Sequence, residues 1–237
     1  MTRQDWMMSL LMLSLAGGAC ATPGSRPEDM SAQQHQQRAD SESWTAEKHQ
    51  GQYEATARTT RERCRGQIEA PRLGVGLSDI CWASVTNPTE LHLAVAEAHR
   101  RRAADHRAAA AELGKTEERA CTGVAPEDRD LSPFEHVEDI AGVEPRTTGA
   151  VVTFRAVPGL TVESLQRVVD CHLARNASLG HEVPEMANCP LVPKGAEARV
   201  SSTGTGFAVT IRSDDPITAA EIRARATRLT GAPALTQ

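Results

Sequence analysis

The architecture of this chain depends most on one long alanine-rich stretch, residues 87–120, which reads NPTELHLAVAEAHRRRAADHRAAAAELGKTEERA. Asn87 is a typical helix-capping residue, Pro88 fits the first helical position, and Glu90 follows in the first turn. Alanine-rich turns then continue to Ala120, and Gly114 is the weakest point among them. The stretch therefore predicts one long helix with a small-residue face that can pack closely against a second helix.

A second helix-forming stretch precedes it. Residues 32–64 contain no proline and a single glycine, Gly51, and most of their side chains favour helices. A stripe of mostly small residues follows a roughly heptad pattern along this stretch: Ala39, Ala46, Tyr53, Ala57, Thr60 and Cys64. Residues 65–86 carry several glycines and a proline, which predicts an irregular connection. We therefore expect an antiparallel α-helical hairpin over residues 35–121, packed as a short coiled coil.

The last part of the chain has the pattern of a small α/β unit. Residues 150–157 alternate as a strand does, and Thr161 can cap a helix that runs to Asn176. Two further strands are predicted at 198–202 and 207–211, and a capping box at 218–221 opens a final helix.

Two features before residue 150 bear on the same unit. Ser132-Pro133-Phe134-Glu135 predicts a short helix that ends at Gly142, and a strand around residues 140–144 could complete the sheet. The order β-α-β-β-α is similar to that of ferredoxin-like folds. The expected class is thus α+β, with the long α-helical hairpin followed by a small ferredoxin-like domain over 122–237.

The N-terminus has the composition of an export signal. Arg3 provides a short positive start, residues 7–19 are apolar and small, and Gly17-Gly18 ends the run. Such a run is too short for a permanent membrane span but suits a signal peptide over residues 1–19.

The residues around Cys20 resemble the lipobox of bacterial lipoproteins. Leu15-Ala16-Gly17-Gly18-Ala19-Cys20 places small residues before a cysteine, although Gly17 stands where the family usually has a larger aliphatic residue. The resemblance implies cleavage before Cys20, acylation of its thiol with a fatty acid such as palmitate, and a lipid anchor. In that family a residue other than aspartate after the cysteine, here Ala21, implies the outer membrane, with the protein facing the periplasm. The polar residues that follow predict a flexible tether over 20–34. Ala19-Cys20-Ala21 is also an A-x-A-like cleavage site, so a soluble periplasmic protein is the alternative.

Five cysteines remain after Cys20, which leaves at least one without a partner in the same chain. An exported chain allows disulfides. Cys171 lies opposite the apolar stripe of its predicted helix, where a loop carrying Cys189 could reach it, so we expect a Cys171–Cys189 bond. Cys64 and Cys81 flank the connection between the long helices and form the second expected pair. Cys121 is then left over.

The histidines suggest two different features, a polar seam between helices and a metal site. His92, His99 and His106 recur every seven residues along the long helix, too far apart to share one metal ion, and predict a polar seam between the helices. His172, His181 and Met186, together with the nearby cysteines, could instead bind copper(I) or zinc, although their spacing matches no strong metal pattern.

The composition excludes some function classes. The net charge is -5 and aromatic residues make up 3%, which disfavours nucleic-acid binding. We find no nucleophile elbow, P-loop or dinucleotide fingerprint, and we predict no cofactor. The run Arg100-Arg101-Arg102 reads as a solvated helix face, with anionic lipid as the alternative partner. The sequence thus predicts a lipid-anchored, non-catalytic structural or interaction module that contacts the membrane and other envelope proteins, with periplasmic copper or zinc binding as the alternative.

Overall fold

The computed structural model describes residues 23–65 and 80–231, which form four α-helices and six β-strands. The helices are α1 (Ala32–Gln52), α2 (Glu90–Ala120), α3 (Val162–Ser178) and α4 (Pro216–Gly231). The strands are β1 (Thr59–Arg65), β2 (Ile80–Thr86), β3 (Ile140–Arg146), β4 (Gly149–Arg155), β5 (Glu197–Ser202) and β6 (Gly206–Arg212). One pair of antiparallel strands lies between each helix and the next along the chain.

Helices α1 and α2 pack side by side and antiparallel. Ala39 and Ala46 on α1 and Ala96 and Ala103 on α2 are buried, so the small-residue stripes face each other as the sequence predicts. Ser31 begins α1 with a capping box, in which its hydroxyl accepts from the amide of Gln34 and the Gln34 side chain accepts from the Ser31 amide.

The connection between these helices differs from the expectation. Helix α1 ends at Gln52 instead of continuing to Cys64, and β1 pairs with β2 in a two-stranded antiparallel sheet. Thr59 and Thr60 open β1, while β2 contains isoleucine, tryptophan and valine. Residues of this kind favour strands once a partner strand completes the backbone hydrogen bonds. The predicted simple helical hairpin over 35–121 was therefore wrong.

The remaining strands form one antiparallel sheet in the order β3-β4-β6-β5. Val152, Val209 and Ile211 point from the sheet into a hydrophobic core that also contains Val169 of α3 and Ile222 of α4. Thr161 caps α3 as expected, whereas α4 starts at Pro216, where the Asp215 carboxylate accepts from the Thr218 amide.

The predicted ferredoxin-like domain was also wrong. The sheet begins with β3, which turns directly into β4 across residues 147–148, so this part of the chain starts with a strand pair. Residues 132–135 form a turn and no α-helix. The class is thus a mixture of four helices and two antiparallel sheets. A long helical hairpin followed by a ferredoxin-like unit does not describe it.

The predicted signal peptide (1–19) and Cys20 lie outside the described residues. Residues 23–34 were expected to belong to a flexible tether, but they pack against the body of the protein. Ser25 and Ser31 are buried, and the Lys194 ammonium donates to the Glu28 carbonyl. Gly180 adopts a φ of +74°, and a Cβ there would lie 2.9 Å from the Cβ of Ser31, so glycine permits this close approach. The described chain is therefore packed already at Ser25, five residues after Cys20 in the sequence.

Candidate functional site

The structure contains two disulfides among the described residues, and one of them was not expected. Cys64 is bonded to Cys81 across β1 and β2, at directly opposed positions, as the sequence predicts. Cys171 is bonded to Cys121, so the expected Cys171–Cys189 bond was wrong. Cys171 faces the C-terminal end of α2 in a small buried cluster with Cys121 and Val124, whereas Cys189 lies in the main core. Cys171 and Cys189 therefore lie on different sides of α3.

Cys189 is a free, buried thiol beside His172. Its sulfur lies 3.3 Å from Nε2 of His172, while Nδ1 of the same ring is buried without a hydrogen-bond partner in the described structure. Burial lowers the pKa of His172 to about 4. Burial also raises the pKa of the Cys189 thiol, and hydrogen bonds from Ser132 and the backbone only partly oppose this. Both groups are therefore neutral near pH 7.

A thiol beside an imidazole has the composition of a nucleophile and its base. A reactive cysteine, however, needs a low pKa that keeps it as thiolate. Here burial acts in the opposite direction on both partners, because the charged forms of thiol and imidazole are each disfavoured. The pair contributes to the core and has no activated nucleophile.

The residues of the expected metal site are held in different surroundings. His181 donates from Nδ1 to the Val192 carbonyl at 2.7 Å, and burial lowers its pKa despite this hydrogen bond. Met186 lines a separate pocket of about 440 Å³ together with Cys189. Across residues 23–65 and 80–231, no three His, Cys, Asp or Glu side chains converge to hold a metal ion. The structure thus places His172 beside Cys189, whereas His181 and Met186 line two separate pockets.

His181 nevertheless lies on the wall of a cleft of about 970 Å³. The cleft lies between the N-terminal segment, the second half of α2, the end of α3 and the loop before β5. Its lining combines apolar side chains with acidic ones: Met30, Leu113, Leu173, Glu28, Glu112 and Glu182. His181 adopts a φ of +62°, and its amide donates to the Asn176 carbonyl, which holds this uncommon backbone conformation.

The seam between α1 and α2 contains an organised polar cluster. Three pairs of side chains cross it in antiparallel order, and each contains a predicted seam histidine from α2. The pairs are His35 with His106, Glu42 with His99, and His49 with His92. The Nδ1 atoms lie 3.1 Å apart in the first pair and 3.0 Å apart in the third. The predicted polar seam is therefore present, with the buried alanines between its rungs.

In the His35–His106 pair, the hydrogen bonds show which ring nitrogen carries the proton. Nε2 of His35 lies 3.0 Å from the Arg26 carbonyl, so a neutral His35 carries its proton there and leaves Nδ1 as an acceptor. His106 then donates from Nδ1. Burial lowers the pKa of His106, and the neighbouring His35 and Arg38 lower it further, against the smaller effects of Glu42 and Asp105. A proton added to this rung would place two donors face to face.

The central rung is charged. Burial acts to raise the pKa of Glu42, but hydrogen bonds from His99 and Arg102 outweigh it and leave that pKa below its usual value. His99 donates from Nδ1 to the carboxylate at 2.6 Å, and Nε of Arg102 donates to the same oxygen at 3.0 Å. The rung thus adds a charged contact to the two histidine pairs that cross the same helix interface.

Sequence reasoning found the α2 half of this seam and missed the α1 half. His35, Glu42 and His49 are also spaced by seven residues, which matches the spacing on α2. Two polar repeats of the same period on two predicted helices would have been a usable signal for the pairing.

Comparison of this chain with protein-family models, with curated proteins and with solved structures found no match. Within residues 23–65 and 80–231, none of the helices combines the length and apolar character needed to cross a membrane.

Proposed function

We propose that this chain is an exported protein, anchored in the outer membrane by a lipid on Cys20, that faces the periplasm as a non-catalytic interaction module. The observation that carries the proposal is the pair of disulfides, Cys64–Cys81 and Cys121–Cys171. Disulfides of this kind persist in oxidising compartments such as the periplasm, which agrees with the export signal.

The packing of the N-terminal segment supports an anchor at Cys20. Only residues 21 and 22 stand between that cysteine and Pro23, the first residue that the structure describes. A fully extended chain spans at most about 3.5 Å per residue, so a lipid on Cys20 would hold the body within about 10 Å of the membrane surface. The protein would then act at the membrane surface itself, and its cleft beside residues 27–30 would lie close to the bilayer.

The isolated β1–β2 hairpin supports a role in interaction. It forms a sheet of its own, it extends from the helix pair, and the Cys64–Cys81 bond closes it covalently. A hairpin whose described residues are almost all exposed is an element suited to contacts outside the molecule. The neutral His172–Cys189 pair, for its part, favours a non-catalytic role.

The intact mass of the protein extracted from membranes tests the anchor. We expect a chain that begins at Cys20, carries acyl groups and has lost the hydrogen of four thiols as two disulfides. The matched control is Cys20→Ser. This variant has no thiol to acylate at position 20 and should be absent from the lipid-modified fraction. A wild-type chain that begins at Thr22 without lipid would show that the protein is soluble and would overturn the proposal.

A further inference from the structure

The described part of the β1–β2 hairpin, residues 59–64 and 81–86, has no packed face. Residues 59–64 and 81–86 are exposed, apart from a half-buried Ser84. A two-stranded hairpin without a packed face is marginally stable in water. The Cys64–Cys81 bond therefore supplies a link between the two strands that the packing of these residues does not. The exposed side chains of residues 59–64 and 81–86 are available for contact.

One face of this hairpin combines arginine with tryptophan. Arg63 lies directly opposite Trp82, and Arg61 lies opposite Ser84. Because side chains alternate along a strand and opposed residues share a face, Arg61, Arg63 and Trp82 lie on the same side. Trp82 is 47% exposed, which is high for a residue of its size. Glu62 and the disulfide lie on the other face.

The charge of the hairpin is opposite to that of the whole protein. Residues 58–65 contain four arginines and one glutamate, while the chain carries a net charge of -5. Among the described residues, neither Arg61 nor Arg63 has an acidic side chain within 4.0 Å. Arg100 and Arg101, in the run with the strongest basic pattern in the sequence, both pair with Glu97. Within the part of the chain that the structure describes, the guanidinium groups of Arg61 and Arg63 are thus not neutralised by an acidic side chain.

On the premise of the membrane anchor proposed above, we infer that the face formed by Arg61, Arg63 and Trp82 docks on the headgroup layer of an anionic lipid bilayer. Guanidinium groups bind phosphate oxygens in a bidentate manner, and tryptophan is enriched at the membrane–water interface. Each basic residue near an anionic membrane strengthens binding about five-fold. The two arginines and the tryptophan together match the chemistry of that layer.

The position of the hairpin gives this contact a structural consequence. It leaves α1 at Gln52, at the opposite end of that helix from the N-terminal segment next to Cys20. A helix of 21 residues is about 31 Å long. Contacts at both ends would lay the α1–α2 pair along the membrane surface.

The emission of Trp82 tests the docking directly. The full-length protein, in a Trp44→Phe background, is reconstituted into vesicles of phosphatidylcholine with or without phosphatidylglycerol. We expect a blue shift only in the vesicles that contain phosphatidylglycerol, reversed by high salt because exposed charges are then screened. The additional change Trp82→Phe shows what any other tryptophan contributes. The double change Arg61→Ala/Arg63→Ala should lower the ratio of docked to free hairpin by more than about ten-fold.

The matched control is Arg100→Ala/Arg101→Ala, which removes two exposed arginines that already have an acidic partner and should leave the shift intact. An equal loss in that variant, or a shift that does not depend on lipid charge, would overturn the inference. Arginines on an exposed edge strand also prevent strands from pairing between molecules. An Arg61→Ala/Arg63→Ala protein that aggregates but keeps the shift would show that this is their only role.

The two proposals fail in different measurements. Protein without acyl mass can be added to preformed vesicles, so the emission of Trp82 remains measurable. If the protein carries no acyl mass but Trp82 still shows the shift, the lipid anchor is wrong and the docking face stands. Acylated protein with no shift would remove the docking face alone, and an emission change caused only by envelope proteins would do the same.

Discussion

His172 is held neutral because it is buried. Its contact with the neutral Cys189 thiol would not stabilise a positive charge on the imidazole ring. The ring is almost fully buried, and its Nδ1 has no partner among the described residues. A histidine whose folded pKa lies below its unfolded value makes the folded state bind fewer protons than the unfolded chain. Its contribution to stability is therefore complete above about pH 6.5 and is lost as the pH falls towards 4.

We predict that this one residue removes about 3 kcal/mol from the free energy of unfolding between pH 6.5 and pH 4. Urea unfolding at several pH values measures the loss. His172→Asn, which cannot titrate, should be less sensitive to acid than the wild type over this range. His136→Asn, at an exposed position, is the control and should follow the wild type. Parallel curves for all three proteins would contradict the assigned pKa.

At the level of elements, the α1–α2 pair shows how alanine controls the distance between helices. Ala39 and Ala103 are buried between the polar rungs, where the helices approach closely. There is no room for a longer side chain unless the helices separate, and separation would break the His35–His106 and Glu42–His99 contacts.

Ala103→Leu should therefore destabilise the protein by about 1 to 3 kcal/mol through overpacking. Ala104→Leu, one residue further along the same helix but exposed, makes the same chemical change and should have little effect. Thermal unfolding of both variants provides the comparison. Equal melting temperatures would mean that the helices do not pack through this face.

At the level of the whole molecule, one disulfide and one arginine join the helix pair to the larger sheet. The Cys121–Cys171 bond links the end of α2 to α3. Beside it, Arg175 of α3 pairs with Glu117 of α2 at 2.8 Å and with Asp130 at 2.7 Å, and these acidic partners raise its pKa against the effect of burial. Helices α2 and α3 are thus joined by a buried disulfide, with the ion pairs of Arg175 beside it.

The two disulfides should differ in their effect on stability. Cys121→Ser/Cys171→Ser opens a 50-residue connection and should cost about 3 to 4 kcal/mol in global unfolding. Cys64→Ser/Cys81→Ser should mainly melt the hairpin locally, because residues 59–64 and 81–86 are almost all exposed. Thermal unfolding reports the first effect, and limited proteolysis near residues 59–86 reports the second. The reverse ranking would show that the hairpin is part of the cooperative unit.

Most of what the sequence predicted correctly has a local cause. The helix over 90–120, the Thr161 cap and the strands around 150–157, 198–202 and 207–211 follow from capping residues and hydrophobic periodicity within a few turns of chain. The polar seam was visible for the same reason, since seven-residue spacing on a helix places side chains on one face.

The tertiary structure alone decided the contacts between distant residues. Thr59–Arg65 is a strand because Ile80–Thr86 pairs with it, and local propensity favoured a helix there. Cys171 bonds Cys121 instead of Cys189 because α2 ends beside α3, and residues 23–31 are ordered because α1 and the loop near Gly180 accept them. A local pattern cannot specify these partners, because the free energy that selects them comes from burial and hydrogen bonds formed only when remote segments meet.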